Sequence, residues 1–185
     1  METLIIDRSK KWTVEDYLKL GEEVKCEILH GELIKTPAPL ITHQRTVGLL
    51  YQKLVSYINT NKLGELFFAP VDVFFDQENV YQPDLVFVCS SKFSNIQEKG
   101  IIGTPDLVAE IISPSSSYID RYSKKGKYEQ FRVPEYWIVD PANKTLEIFV
   151  LTASQEFELH LSLAIRGKVF SKLLKDMTFD LAEIF

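Results

Sequence analysis

Apolar positions recur along this chain in two rhythms. Across residues 42–61, Val47, Leu50, Tyr51, Leu54, Val55 and Ile58 follow at three- and four-residue steps, which predicts a long amphipathic helix with Gly64 placed to close its C-terminus. Elsewhere the pattern is strand-like. Residues 24–29 and 32–35 flank His30-Gly31 as a tight hairpin, and Pro37 and Pro39 end its second arm. The β-branched and aromatic runs 66–75 and 80–89 surround the polar turn Asp76-Gln77-Glu78-Asn79 and predict adjacent antiparallel strands, with 107–112 as a third.

Thr13 with Asp16 three residues on reads as an N-cap, and Trp12 and Tyr17 as a hydrophobic staple, so a short helix is expected over residues 14–21. The Ser113-Pro114-Ser115-Ser116-Ser117 stretch breaks a strand, and Asp120 can cap a helix running to Phe131. Strands are predicted at 136–140, 145–150 and 157–164, and the apolar tail 179–185 is expected to dock on the core. No repeat, low-complexity stretch or linker divides the chain, so residues 1–185 are expected to form one domain.

Charge and cysteine usage narrow the partners. A net charge of -5 disfavours a protein that coats nucleic acid indiscriminately, though a local basic patch remains compatible with it. Cys26 and Cys89 lie far apart in apolar segments and read as reduced core thiols. No apolar run is long enough to span a bilayer, so a soluble, cytoplasmic protein is expected. With 3 histidines and 2 cysteines, a structural zinc cluster is not expected.

Against this background two acids stand out. Asp84 and Glu110 each interrupt an apolar strand-like run, and alternation aims Asp84 with Val86 and Val88, and Glu110 with Val108 and Ile112. An ionised carboxylate there needs a cation, a metal or a hydrogen-bond network to offset lost hydration. Each acid could instead close a strand end, paired with a lysine; Pro83 beside Asp84 keeps that reading open. On the following helix, Asp120, Lys124, Lys127, Tyr128 and Phe131 fall in one stripe centred near Lys124, which either meets an inward partner or snorkels to water. Two strand carboxylates and an ammonium form a kit for phosphodiester hydrolysis with Mg2+ or Mn2+.

Gln82-Pro83-Asp84, the run Pro105-Asp106-Leu107-Val108-Ala109-Glu110-Ile111-Ile112-Ser113-Pro114-Ser115, Asp120, Lys124, Tyr128 and Val133-Pro134-Glu135-Tyr136-Trp137-Ile138-Val139-Asp140-Pro141 together resemble the Uma-type restriction endonuclease family of the PD-(D/E)XK nuclease superfamily. Glu27-Ile28-Leu29-His30-Gly31-Glu32-Leu33, Pro37 and His43-Gln44 resemble its N-terminal signature. The resemblance implies an α/β (α+β), restriction-endonuclease-like core, a central mixed β-sheet flanked by helices. It implies a DNA endonuclease with Asp84 and Glu110 as metal ligands and Lys124 as the catalytic lysine, with Lys127 as the substitute. The superfamily pattern places that lysine two residues after the second acid, where this chain has Ile112.

Glu27 is a further candidate metal ligand by the same resemblance, although its alternation with Lys25 and Leu29 also allows it to face solvent. His43 is expected to cap the long helix or contact a loop, because no spacing supplies it with a base partner. No phosphate-cradling glycine motif and no GxSxG occurs. A glycosidase acid pair would leave the Lys124 stripe without a purpose. A nuclease fold that binds DNA or a protein without cutting is the alternative function, and a two-fold dimer is expected if both DNA strands are cut.

Overall fold

In the computed structural model, which describes residues 9–21, 24–36, 38–113 and 117–185, the strand-forming runs are shared between two sheets. The first is built from β1 (Cys26–Leu29), β2 (Glu32–Lys35), β4 (Val73–Asp76), β5 (Asn79–Tyr81), β7 (Ile96–Gln97) and β8 (Gly100–Ile102), in the order β2-β1-β5-β4-β8-β7. The second takes β3 (Gly64–Phe68), β6 (Leu85–Cys89), β9 (Leu107–Ile111), β10 (Glu135–Asp140), β11 (Thr145–Leu151) and β12 (Phe157–Ala164), in the order β12-β11-β10-β9-β6-β3. Both are mixed, since β4 runs parallel to β8 and β9 parallel to β10. A hairpin of β13 (Lys168–Phe170) and β14 (Thr178–Asp180) follows.

The expected α/β class is therefore correct, but one central sheet is replaced by two. The runs 66–75 and 80–89 are antiparallel as expected, yet each changes sheet midway: β3 pairs with β6 and β4 with β5. The second crossing lies at residues 82–84. There Pro83 has no N–H to give a ladder, and the Gln82 N–H is taken by Glu27 Oε1 at 2.7 Å.

Helix α1 (Val14–Tyr17) has the expected capping box, with Thr13 N–H on Asp16 Oδ2 at 3.2 Å and Asp16 N–H on Thr13 Oγ1 at 3.4 Å. It ends earlier than residue 21, because Lys19 and Leu20 bond three residues back and tighten the chain into turns. In the β1–β2 hairpin, His30 and Gly31 both take positive φ, 55° and 76°, as a primed two-residue turn requires. Pro37 lies outside the described residues.

Helix α2 (Ile41–Asn61) is closed by Lys62 in the left-handed conformation, not by Gly64. Gly64 instead begins β3, where a Cβ would stand 2.1 Å from the carbonyl oxygen of Val88. Leu50, Leu54 and Ile58 of α2 are fully buried against Leu85, Phe87, Leu107, Ala109, Ile111, Trp137 and Val139 of the second sheet. Each such side chain contributes roughly 1.5–3 kcal/mol. The tail docks on this layer through Leu181 and Ile184.

The opposite face of the second sheet presents Val86, Val88, Val108, Ile112, Tyr136 and Ile138. It packs against Val73, Tyr81 and Ile101 of the first sheet and against Tyr128 of α3 (Lys125–Gln130). A π-helical stretch, Ile119–Lys124, leads into α3, so Asp120 lies inside a helix and does not cap it. No helix among the described residues is long and apolar enough to cross a membrane.

Candidate active site

Strand alternation carries Glu110 to the face between the two sheets, where its side chain is buried with only 3% exposure. Lys124 reaches it from the π-helical stretch, Nζ standing 3.0 Å from Glu110 Oε1 and 2.9 Å from Glu27 Oε1. The wide π turn sets Asp120 and Lys124 on one side, with Asp120 Oδ1 3.8 Å from Nζ. One turn further, the hydroxyl of Tyr128 donates to Glu110 Oε1 at 2.7 Å. Glu27 arrives from β1 in the other sheet and is buried rather than solvated.

Asp84 occupies the crossing into β6. Its Oδ2 accepts from the Ile111 N–H at 2.8 Å, one residue beyond Glu110, and lies 3.1 Å from His43 Nε2. Among the described residues, Asp84 Oδ1 and Glu110 Oε2 hold no hydrogen bond. Lys127 stays outside this cluster, its Nζ on Gln130 Oε1 at 2.9 Å, so Lys124 is the lysine that joins Glu110.

The electrostatics follow from crowding acids in a dry place. Burial pushes Glu110 well above the usual carboxylate range; Lys124 opposes this, while Asp120, Asp84 and Glu27 add to it. For Lys124, burial disfavours the charge, but Glu110, Glu27 and Asp120 outweigh it and hold the ammonium well above its ordinary value. Burial also lifts Tyr128, which keeps its phenol a donor to Glu110.

Burial alone would lower His43, and the hydrogen bond and charge of Asp84 reverse the sign to a raised value. The expected loop contact of His43 is present, since Asp84 lies between β5 and β6; that its partner there is an acid was not expected. The signal was present in the sequence, since His43 continues the core-facing series of Val47, Leu50, Leu54 and Ile58 one turn toward the helix start. Tyr128 was visible in the Lys124 stripe, but its hydroxyl partner was not.

Among the described residues no three His, Cys, Asp or Glu side chains form a ready metal cage. The hard-oxygen donors Asp84 and Glu110 suit Mg2+ nonetheless, because this ion commonly uses one or two carboxylates and retains several waters.

The mixed α/β fold is shared with a solved structure. A crystal structure of a "putative nuclease belonging to DUF820" from Anabaena variabilis superposes with a TM-score of 0.77 at 20% identity, over 94% of this chain and 97% of that one. An uncharacterized protein of Synechocystis sp. is 25% identical over 142 residues, spanning 74% of this chain and 79% of its own. The chain belongs to the Uma2 family, described as "Putative restriction endonuclease", which matches residues 14–173. Family membership supports a nuclease-like function.

Proposed function

We propose that this protein is a metal-dependent DNA endonuclease that hydrolyses phosphodiester bonds at Asp84, Glu110 and Lys124. The observation that carries this reading is the convergence of the three residues: Asp84 is hydrogen-bonded to the residue after Glu110, and Lys124 lies 3.0 Å from Glu110. Asp84 Oδ1 and Glu110 Oε2 would hold the cation, Mg2+ or Mn2+, and Glu27 would join through Oε2 because its Oε1 serves Gln82 and Lys124. Burial raises Glu110, and Asp120, Asp84 and Glu27 add to that push; a divalent cation beside the carboxylate would favour its ionised form. When bound, such a cation lowers the pKa of a coordinated water and neutralises charge on the phosphorane.

The chain's own groups supply the rest. Lys124, held charged, offsets charge developing on the transferred phosphate, and Tyr128 fixes the Glu110 carboxylate by hydrogen bonding. Cutting both strands of a duplex with one such site per chain would call for a two-fold dimer. Plasmid and single-stranded DNA incubated with Mg2+ or Mn2+ test the reading: wild type should nick and Asp84→Ala should not. Equal background in both would discard catalysis in favour of a nuclease fold that binds without cutting.

A further inference from the structure

We propose that His43 is a positioning residue for Asp84, clamping Oδ2 so that Oδ1 is the oxygen offered to a cation; this rests on reading Asp84 as a metal ligand. Asp84 sits at a crossing between sheets, not within a ladder, so neighbouring strands do not by themselves fix its carboxylate plane. Two donors from different elements meet on the one oxygen: the Ile111 N–H of β9 at 2.8 Å and His43 Nε2 of α2 at 3.1 Å. One donor leaves the plane free to turn about that bond, whereas two from separate directions fix it. An ionised carboxylate only accepts, so Nε2 carries the hydrogen in either protonation state of the ring.

His43 occupies a place where an apolar side chain would pack without penalty. It shares the stripe of Val47, Leu50, Leu54 and Ile58, and its Nδ1 is buried without a hydrogen-bond partner among the described residues. A buried, unpaired ring nitrogen is unfavourable, and a helix needs none there. Asp84 is the side chain its imidazole bonds to. The first turn of α2 carries no acidic residue and no side-chain cap, so the positive pole of a 21-residue helix strengthens donation from this end.

His43→Gln and His43→Asn separate positioning from packing. A glutamine amide nitrogen can occupy the place of Nε2, whereas an asparagine amide is too short to reach Asp84. With folding verified by thermal melts, calorimetric titration of Mn2+ should find wild-type affinity in His43→Gln and binding weaker by about 10–100-fold in His43→Asn. A crystal structure of metal-free His43→Asn should show the Asp84 carboxylate turned about its bond to Ile111. Wild-type affinity in His43→Asn, equal losses in both variants, or an unturned carboxylate would each overturn the proposal. Wild type that binds no Mn2+ would instead sink the metal reading, while the Asp84 orientation in His43→Asn would still decide the positioning role.

Discussion

Lys124 Nζ stands 2.9 Å from Glu27 Oε1, a residue 97 positions earlier in the chain. That contact joins the helix that follows the second sheet's β9 to a strand of the first sheet. Both partners are buried, so removing one strands the other's charge. Lys124→Met should therefore lower unfolding free energy by about 3–5 kcal/mol, measured by urea denaturation, and abolish DNA cutting. Adding Glu27→Gln to it should recover part of the stability without restoring activity.

Tyr128→Phe removes the hydroxyl that donates to Glu110 Oε1 and leaves that buried carboxylate a donor short. A loss of about 1–3 kcal/mol is expected, visible as a lower urea midpoint with an unchanged slope. The Mn2+ titration should show weaker binding, since the carboxylate is then less firmly held.

Glu135 is a buried acid of a different kind. It is fully inaccessible, and its carboxylate accepts from Trp137 Nε1 at 2.7 Å, Ser171 Oγ at 2.6 Å, and the Lys172 and Leu173 N–H groups at 2.9 Å each. Alternation places it on the face opposite Glu110, with Trp137 and Val139. Glu135→Leu should cost about 3 kcal/mol or more and speed backbone hydrogen exchange at residues 171–174. Mn2+ affinity should be unchanged while the protein remains folded.

Cys26 offers a pH-dependent readout. Burial pushes its thiol up to about 11 from 9.0, with Asp72 and Glu27 adding to the shift. A thiol whose folded value is raised holds its proton more tightly when folded, so its stabilising contribution is present below pH 9.0 and is lost as pH climbs toward about 11. At pH 8 a disulfide reagent should modify the partly exposed Cys89 first and reach Cys26 only after unfolding. Rapid native reaction of Cys26 would contradict its placement.

Much of this was legible in the sequence because it is local. The long helix, the His30-Gly31 hairpin and the alternation that buries Glu110 depend on near neighbours and a fixed period. Asp84, Glu110 and Lys124 were nominated by the same periods and by the family resemblance. What stayed hidden is relational. At residues 82–84 Pro83 marks a break in the run, but the sequence does not show that the two halves join different sheets, because both are buried. The Glu27–Lys124 and His43–Asp84 contacts, 97 and 41 residues apart, arise only when the layers pack.

The crossing at residues 82–84 gives the two sheets a common fate. Glu27 grips the Gln82 N–H and Lys124 together, so separating the sheets breaks the acid–lysine cluster along the same line. The acid–lysine cluster is a clasp between the sheets. A partly opened chain would keep much of each ladder yet lose this cluster at once, and a cation bound as proposed would act as a rivet, raising the free energy of opening at this seam.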